Sequence, residues 1–162
     1  MNRIVILGTG HATVTRCYNT CFALQTDTTT LLVDAGGGNG ILQRLEQAGI
    51  AIKDLHHMYV THAHTDHILG TIWVIRMVLS AAGYEGRFHV YSHAKVLRVI
   101  SMICGETLSA KHRRLMGERV VMHEVGDGTG FNVGDIGMQS FDIHSKKEPQ
   151  YGFRATLPGG AV

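Results

Sequence analysis

No long apolar run occurs in this sequence. The N-terminal stretch Met1-Asn-Arg-Ile-Val-Ile-Leu-Gly-Thr-Gly10 has four consecutive apolar residues before its glycines. That is too short for the apolar region of a signal peptide, and nothing elsewhere approaches the roughly 20 residues of a membrane-spanning helix. The expectation is a cytoplasmic protein with no membrane partner. Charge is scarce as well: 17% of residues are charged and the formal net charge is +2. Composition therefore makes no electrostatic case for nucleic acid or an anionic surface. The basic cluster Lys111-His-Arg-Arg114 has no interleaved aromatics, so it reads as a solvated helix face rather than an RNA-binding patch. Three cysteines, Cys17, Cys21 and Cys104, are an odd number in a chain without an export signal. They read as free thiols of a reducing compartment and not as a disulfide framework. Cys17-x-x-x-Cys21 lacks the second Cys/His pair of a zinc module.

Two nucleotide-binding patterns are also incomplete. Arg3–Leu7 reads as a buried strand and closes on Gly8-Thr-Gly10, but Thr13 stands where a dinucleotide fingerprint has its third glycine. The run Ala35-Gly-Gly-Gly-Asn-Gly40 lacks the Lys-Ser/Thr of a phosphate-binding loop. Its glycines let the backbone turn sharply or approach a ligand closely.

The chain that remains is one domain, 1–162, with 44% hydrophobic residues and room for a core. Thr20–Thr26 and Thr30–Asp34 read as a hairpin turning at Asp27-Thr28. Ile41–Ala48 has a helical apolar face stopped by Gly49. Leu69–Ala82 is apolar on almost every side, which predicts a buried helix starting just after His67, with Trp73 and Met77 in the core. Phe88–Tyr91 is a short strand, and Ala94–Ile103 an amphipathic helix ended by Gly105. Arg119–Val125, Ile136–Ile143 and Tyr151–Leu157 read as strands. The order is strands, helices, strands, hence α+β and not a strict βαβ repeat. His89, His93, His112 and His123 are scattered singly and read as surface or hydrogen-bonded histidines.

The stretch that organises the chain is Met58-Tyr-Val-Thr-His-Ala-His-Thr-Asp-His67. It places four candidate ligands, His62, His64, Asp66 and His67, within six residues at the end of a β-branched run. His62 and His64 are two apart and project to the same side of an extended backbone. Asp66 can face the same way, while His67 requires the chain to turn. Two ligand groups one step out of phase suit a pair of ions, each wanting three or four ligands at about 2 Å.

His-x-His-x-Asp-His is the signature of the metallo-β-lactamase superfamily. Leu7-Gly-Thr-Gly10, Leu31-Leu-Val-Asp34-Ala-Gly, the histidine motif, and Phe141-Asp-Ile-His144 with Tyr151-Gly-Phe-Arg154 follow in that family's order. Together they most resemble the ribonuclease Z branch with its phosphodiesterase and arylsulfatase-like relatives. The resemblance implies an αββα sandwich and a zinc-dependent hydrolase acting on a phosphodiester, RNA or a small molecule. An arylsulfatase-like or other ester hydrolase, or a non-catalytic metal-binding subunit, are the alternatives. It further implies that His62, His64 and His144 hold one zinc and that Asp66 and His67 belong to a second. Asp66 doubles as proton acceptor or donor, and Asp34 supports the metal loop without ligating. Such supporting carboxylates orient ligands, so loss of Asp34 weakens the site without abolishing it. Mn²⁺ or Fe fits the same donors. A metal lowers the pKa of water to about 7, which makes hydroxide available at neutral pH.

Family members continue with a Ser-Gly-Asp-Thr-like segment and a later histidine, neither of which follows Arg154. Leu157-Pro-Gly-Gly160 reads as a hairpin turn with no returning strand. The expectation is an N-terminal half that holds at most one metal tightly and is nearly inactive alone. Exposed apolar sheet would make it self-associate or bind a complementary C-terminal half.

Overall fold

A computed structural model describes residues 1–161. The short β-branched runs form a six-stranded sheet. β1 (Arg3–Gly8), β2 (Cys21–Gln25) and β3 (Thr30–Val33) make an antiparallel meander. β3, β4 (His57–Tyr59), β5 (Phe88–Ser92) and β6 (Val120–Glu124) then run parallel in sequence order. Parallel neighbours need crossovers. These are α1 (Gly40–Gln47), α2 (Thr65–Ser80), and α3 (Ala94–Thr107) with the short α4 (Ala110–Arg113). The parallel half is therefore built of βαβ units, which the strand–helix–strand reading had set aside. A second, antiparallel sheet has the order β10-β9-β8-β7, from β7 (Gly130–Val133), β8 (Ile136–Asp142), β9 (Tyr151–Leu157) and β10 (Gly160–Ala161).

The central strands are buried on both faces, which is why they read as unbroken apolar runs. Leu32, Met58 and Val90 face the helices and pack with Ile68, Ile75, Val78 and Ile100. Their strand neighbours Leu31, Val33, Tyr59 and Tyr91 face the second sheet and meet Val133, Ile136 and Met138. Each fully buried aliphatic side chain contributes roughly 1.5–3 kcal/mol. Among the described residues the layers run helix, sheet, sheet, three of the four in an αββα sandwich. No helix among them is long and apolar enough to cross a membrane.

Several sequence expectations need correction. The opening strand is not buried: β1 is the edge of the six-stranded sheet, and Ile4 and Ile6 are exposed. α2 begins at Thr65, so Asp66 and His67 lie in its first turn instead of ahead of it. Its buried face is Ile68, Thr71, Val74, Ile75, Val78 and Leu79, which turns Trp73 (40% exposed) and Met77 outward rather than into the core. α3 passes through Gly105 to Thr107, because a glycine on an open face costs a helix only about 1 kcal/mol. The turn after Leu157 does return: Gly160 and Ala161 pair with Leu157 and Thr156. β7, rich in glycine and asparagine at its start, has no periodicity that announces it.

Candidate metal centre

The histidine motif leaves the C-terminal edge of the parallel sheet, between the end of β4 and the start of α2. His64 is still extended (φ −68°, ψ 146°) and caps the helix, its carbonyl accepting from the N–H groups of His67 and Ile68. That switch from strand-like to helical backbone converts six residues of sequence into a cluster. The His62 and His67 ring centroids are 4.1 Å apart, and those of His62 and His64 4.7 Å.

The helix start is pinned to the glycine loop after β3. Ala35 N–H donates to His67 O and Gly70 N–H to Gly36 O, at 3.1 and 2.9 Å. A Cβ on Gly70 would lie 1.8 Å from Ala35 O, so only glycine allows this approach. The Tyr18 hydroxyl, 2.7 Å from both Ala35 O and Gly38 O, braces the loop from the other side.

Asp34, buried and in the left-handed region (φ 54°), is the hub. Its Oδ1 accepts from Thr61 N–H at 2.8 Å, and its Oδ2 accepts from the Thr61 hydroxyl at 2.8 Å and from His67 Nδ1 at 2.7 Å. The Thr61 hydroxyl has one proton, which goes to Asp34, so its oxygen accepts from His62 Nδ1 at 2.8 Å. One carboxylate thereby fixes the tautomers of two histidines and leaves both Nε2 lone pairs free, the usual outer-shell arrangement of a metal-binding imidazole. Asp34 thus accepts three hydrogen bonds, two of them from Thr61 and one from His67.

Burial pulls the His62 imidazole below its ordinary pKa, and the neighbouring His67 adds to the effect. Burial pulls His67 down too, but its bond to Asp34 and the charges of Asp34 and Asp66 outweigh this and hold its pKa up. A cation on His67 Nε2 would replace a proton that this surrounding favours. Asp66 lies 3.4 Å from His67 Nε2 through Oδ2, which also accepts from Ala12 N–H at 3.1 Å. The loop after β1 thus closes over the site.

His144 stands apart. It follows β8 in left-handed backbone (φ 55°) with its side chain 84% exposed, and its N–H donates to Asp142 Oδ1. The same loop instead sends Glu148 inward: Glu148 Oε1 is 2.8 Å from His64 Nε2, and Oε2 accepts from Lys95 Nζ at 2.7 Å. Two groups of three donors result, Asp34–His62–His67 and His62–His64–Glu148, each with ligand atoms within 4.8 Å of one another. Sequence reasoning missed Glu148 and Lys95; no spacing ties a loop glutamate to a motif more than 80 residues earlier. The donors present fit a divalent metal of the zinc type, with imidazole nitrogens free and carboxylates beside them. The two buried thiols do not compete. Cys21 and Cys104 are buried, their pKa values pushed up by burial to about 12 and about 11, which keeps them protonated and inert.

Residues 2–155 match the family model described as Anti-Pycsar protein Apyc1. A ribonuclease Z of Streptomyces avermitilis is 37% identical over 79 residues, 48% of this chain and 26% of that protein. Exodeoxyribonuclease YycJ of Bacillus anthracis is 30% identical over 128 residues, 78% of this chain and 42% of that protein. Among solved structures, the short form of human tRNase Z (ELAC1) aligns with a TM-score of 0.76 at 16% identity, covering 100% of this chain and 71% of that one. The chain thus spans less than half the length of these two curated relatives, and the structural likeness at such low identity speaks for the fold.

Proposed function

The chain belongs to the family of the anti-Pycsar protein Apyc1, within the ribonuclease Z-like branch of the metallo-β-lactamase superfamily, and from that premise we propose that it is the metal-binding part of a hydrolase that cleaves a phosphodiester. The observation that carries this reading is the Asp34 hub, which aims His62 Nε2 and His67 Nε2 as ligands. His62, His64, Asp66 and His67 hold the metal, zinc or alternatively Mn²⁺ or Fe, with His144 the remaining candidate on the loop after β8. A metal bound there supplies an oxygen nucleophile at neutral pH and Lewis-acid stabilisation of developing charge.

The residues themselves do the positioning. Thr61 hands the Asp34 charge to His62, and Ala12 N–H holds Asp66 Oδ2, which leaves Asp66 Oδ1 to take a proton or give one to a leaving oxygen. Ribonuclease Z and exodeoxyribonuclease YycJ are by their names nucleases, which favours a phosphodiester, RNA included, over the arylsulfatase-like alternative. Free Cys17, Cys21 and Cys104 fit a reducing, cytoplasmic setting. Exposed Ile4 and Ile6 on β1 support self-association or pairing with a complementary half. We treat residues 1–162 as a single domain in that role.

Hydrolysis of a chromogenic bis-aryl phosphate, beside an aryl sulfate and a precursor tRNA, tests the reading on the full-length protein. Phosphodiester turnover that chelators abolish, and that His62→Ala lowers by more than the roughly 100-fold of an orienting residue, is the expected result. Turnover of the sulfate alone, or turnover indifferent to chelators, overturns it.

A further inference from the structure

We infer that the groove between α2 and the C-terminal end of α3 binds single-stranded nucleic acid, with Trp73 as the platform for a base and Arg76, Lys111, Arg113 and Arg114 as contacts to the phosphates. The hydrolase reading above enters only where the bound strand is called a substrate. The groove encloses about 280 Å³ between the apolar side chains of Leu69, Ile72, Ile103 and Leu108, and Arg76 is the one charged residue of its lining. Trp73 is 40% exposed and stands one helical turn before the exposed Arg76. Leu69, Trp73 and Arg76 continue the stripe of α2 that begins at Asp66, with Trp73 about 10 Å along the helix from that carboxylate. Gly37 lines the groove at its other end and lies against the same turn, since a Cβ there would stand 3.7 Å from Asp66 Cα. The groove therefore runs out beside the metal-binding loop.

The basic cluster Lys111-His-Arg-Arg114 has no aromatic residue interleaved in sequence, and the fold supplies one from α2. The Ser80 hydroxyl gives its proton to Arg76 O at 2.8 Å, so its oxygen accepts from His112 Nε2 at 3.2 Å. That contact docks α4 on the end of α2. Arg113 Nη1 donates to the carbonyl of Leu108, the residue that ends α3 and lines the groove. Arg76, Lys111, Arg113 and Arg114 are all exposed, and among the described residues none of them is in an ion pair. The chain has 15 Lys and Arg against a net charge of +2, so four cations on one pair of helices are a local concentration that the whole-chain balance hides. An open tryptophan face beside unpaired cations serves a strand read without sequence preference: the ring takes a base and the cations follow the backbone. An acidic peptide would engage the cations and leave Trp73 without a planar partner.

Trp73 is the single tryptophan of the chain, so its emission reports on the groove directly. The whole protein, with EDTA present to keep the metal site out of the measurement, is titrated with an oligothymidylate of about 12 nucleotides, with its duplex, and with polyglutamate. The single strand should quench Trp73. Four neutralised phosphates give a slope of log Kd on log salt of about 2.8, which is a roughly 50-fold weakening between about 50 and 200 mM salt. By anisotropy of the labelled strand, Arg76→Gln combined with Arg113→Gln should halve that slope to about 1.4. Trp73→Leu should weaken binding by about 5- to 150-fold, and Trp73→Phe, which keeps a ring, by less. Melting midpoints within a few degrees of wild type would show that these variants fold. Absence of quenching, a salt slope unchanged in the arginine pair, or equal binding of the duplex or of polyglutamate overturns the inference. Strand binding of the expected kind in a protein whose zinc-loaded form turns over no phosphodiester overturns the hydrolase reading and upholds the groove. Turnover of the small bis-aryl phosphate without strand binding does the reverse.

Discussion

Two clusters of three histidines lie at opposite ends of the same sheet, and they are built to opposite purposes. At the C-terminal edge, His62, His64 and His67 each have a carboxylate within reach, directly or through Thr61. At the other end, His57, His89 and His123 cross β4, β5 and β6 on the face of Tyr59 and Tyr91. His57 stacks on His89 at 5.4 Å between centroids, His89 Nδ1 lies 2.8 Å from His123 Nε2, and Tyr91 stacks on His123 at 4.7 Å. Among the described residues none of the three makes an ion pair. Burial, followed by the charges of His89, His56 and His123, pushes the His57 pKa down to about 4, and His89 and His123 are lowered too, again chiefly by burial. Number and proximity of imidazoles are the same; the anions are not. Without a carboxylate beside it, this second cluster is a packing ladder of imidazoles, while the first has the carboxylates that the proposed metal site requires.

The largest effect should come from breaking the frame that holds only one cluster. Gly70→Ala drives a Cβ into Ala35 O and must push the first turn of α2 off the loop after β3. That is expected to cost about 3 kcal/mol, the upper end for overpacking, and to carry His67 away from Asp34. Thermal melts with zinc titration should show both losses together. A variant of wild-type stability with intact zinc binding would mean that the helix start does not depend on this contact.

A smaller change removes the anion and leaves the imidazoles. Asp34→Asn keeps the shape but gives up the charge and one acceptor, and zinc affinity should fall by roughly 10–100-fold. Replacing both His89 and His123 by Gln should leave zinc affinity unchanged. If the ladder substitutions weaken zinc as much as Asp34→Asn does, the two clusters are not distinct in the way their carboxylates imply.

How much of this contrast could be read beforehand follows from sequence distance. The motif at 62–67 is local, so the candidate ligands were legible as a group, and the apolar runs of β3 and β5 were legible as strands. The ladder was not legible: His57, His89 and His123 become neighbours only through the parallel register that sets His57 against His89 and Tyr91 against His123. Glu148 was invisible for a related reason, since a loop between two strands carries no periodicity. α2 starts earlier than its apolar run implies, because the extended backbone expected through Asp66 ends at His64, and Thr65 and Asp66 form the first helical turn. Trp73 was assigned to the core by composition, whereas the angular position on the helix decided its exposure.

The smallest effect tests the ladder from its own side, through pH. The His57 pKa of about 4 in the folded chain lies below its ordinary value of 6.5. Above pH 6.5 the imidazole is neutral whether the chain is folded or not, and its contribution to stability is fully present. As pH falls from 6.5 toward 4 the unfolded chain takes up a proton that the folded chain refuses, so stability is lost across that window. The ring is only partly buried, and after allowance for solvent screening the loss is on the order of 1 kcal/mol. His57→Leu has no proton to take up at this position. Urea midpoints at pH 7 and pH 4.5 should therefore differ less in His57→Leu than in wild type, by about that amount. Equal acid sensitivity in the two proteins would mean that the ladder is already solvated well enough to be protonated in place, and that carboxylates alone do not distinguish the two ends of the sheet.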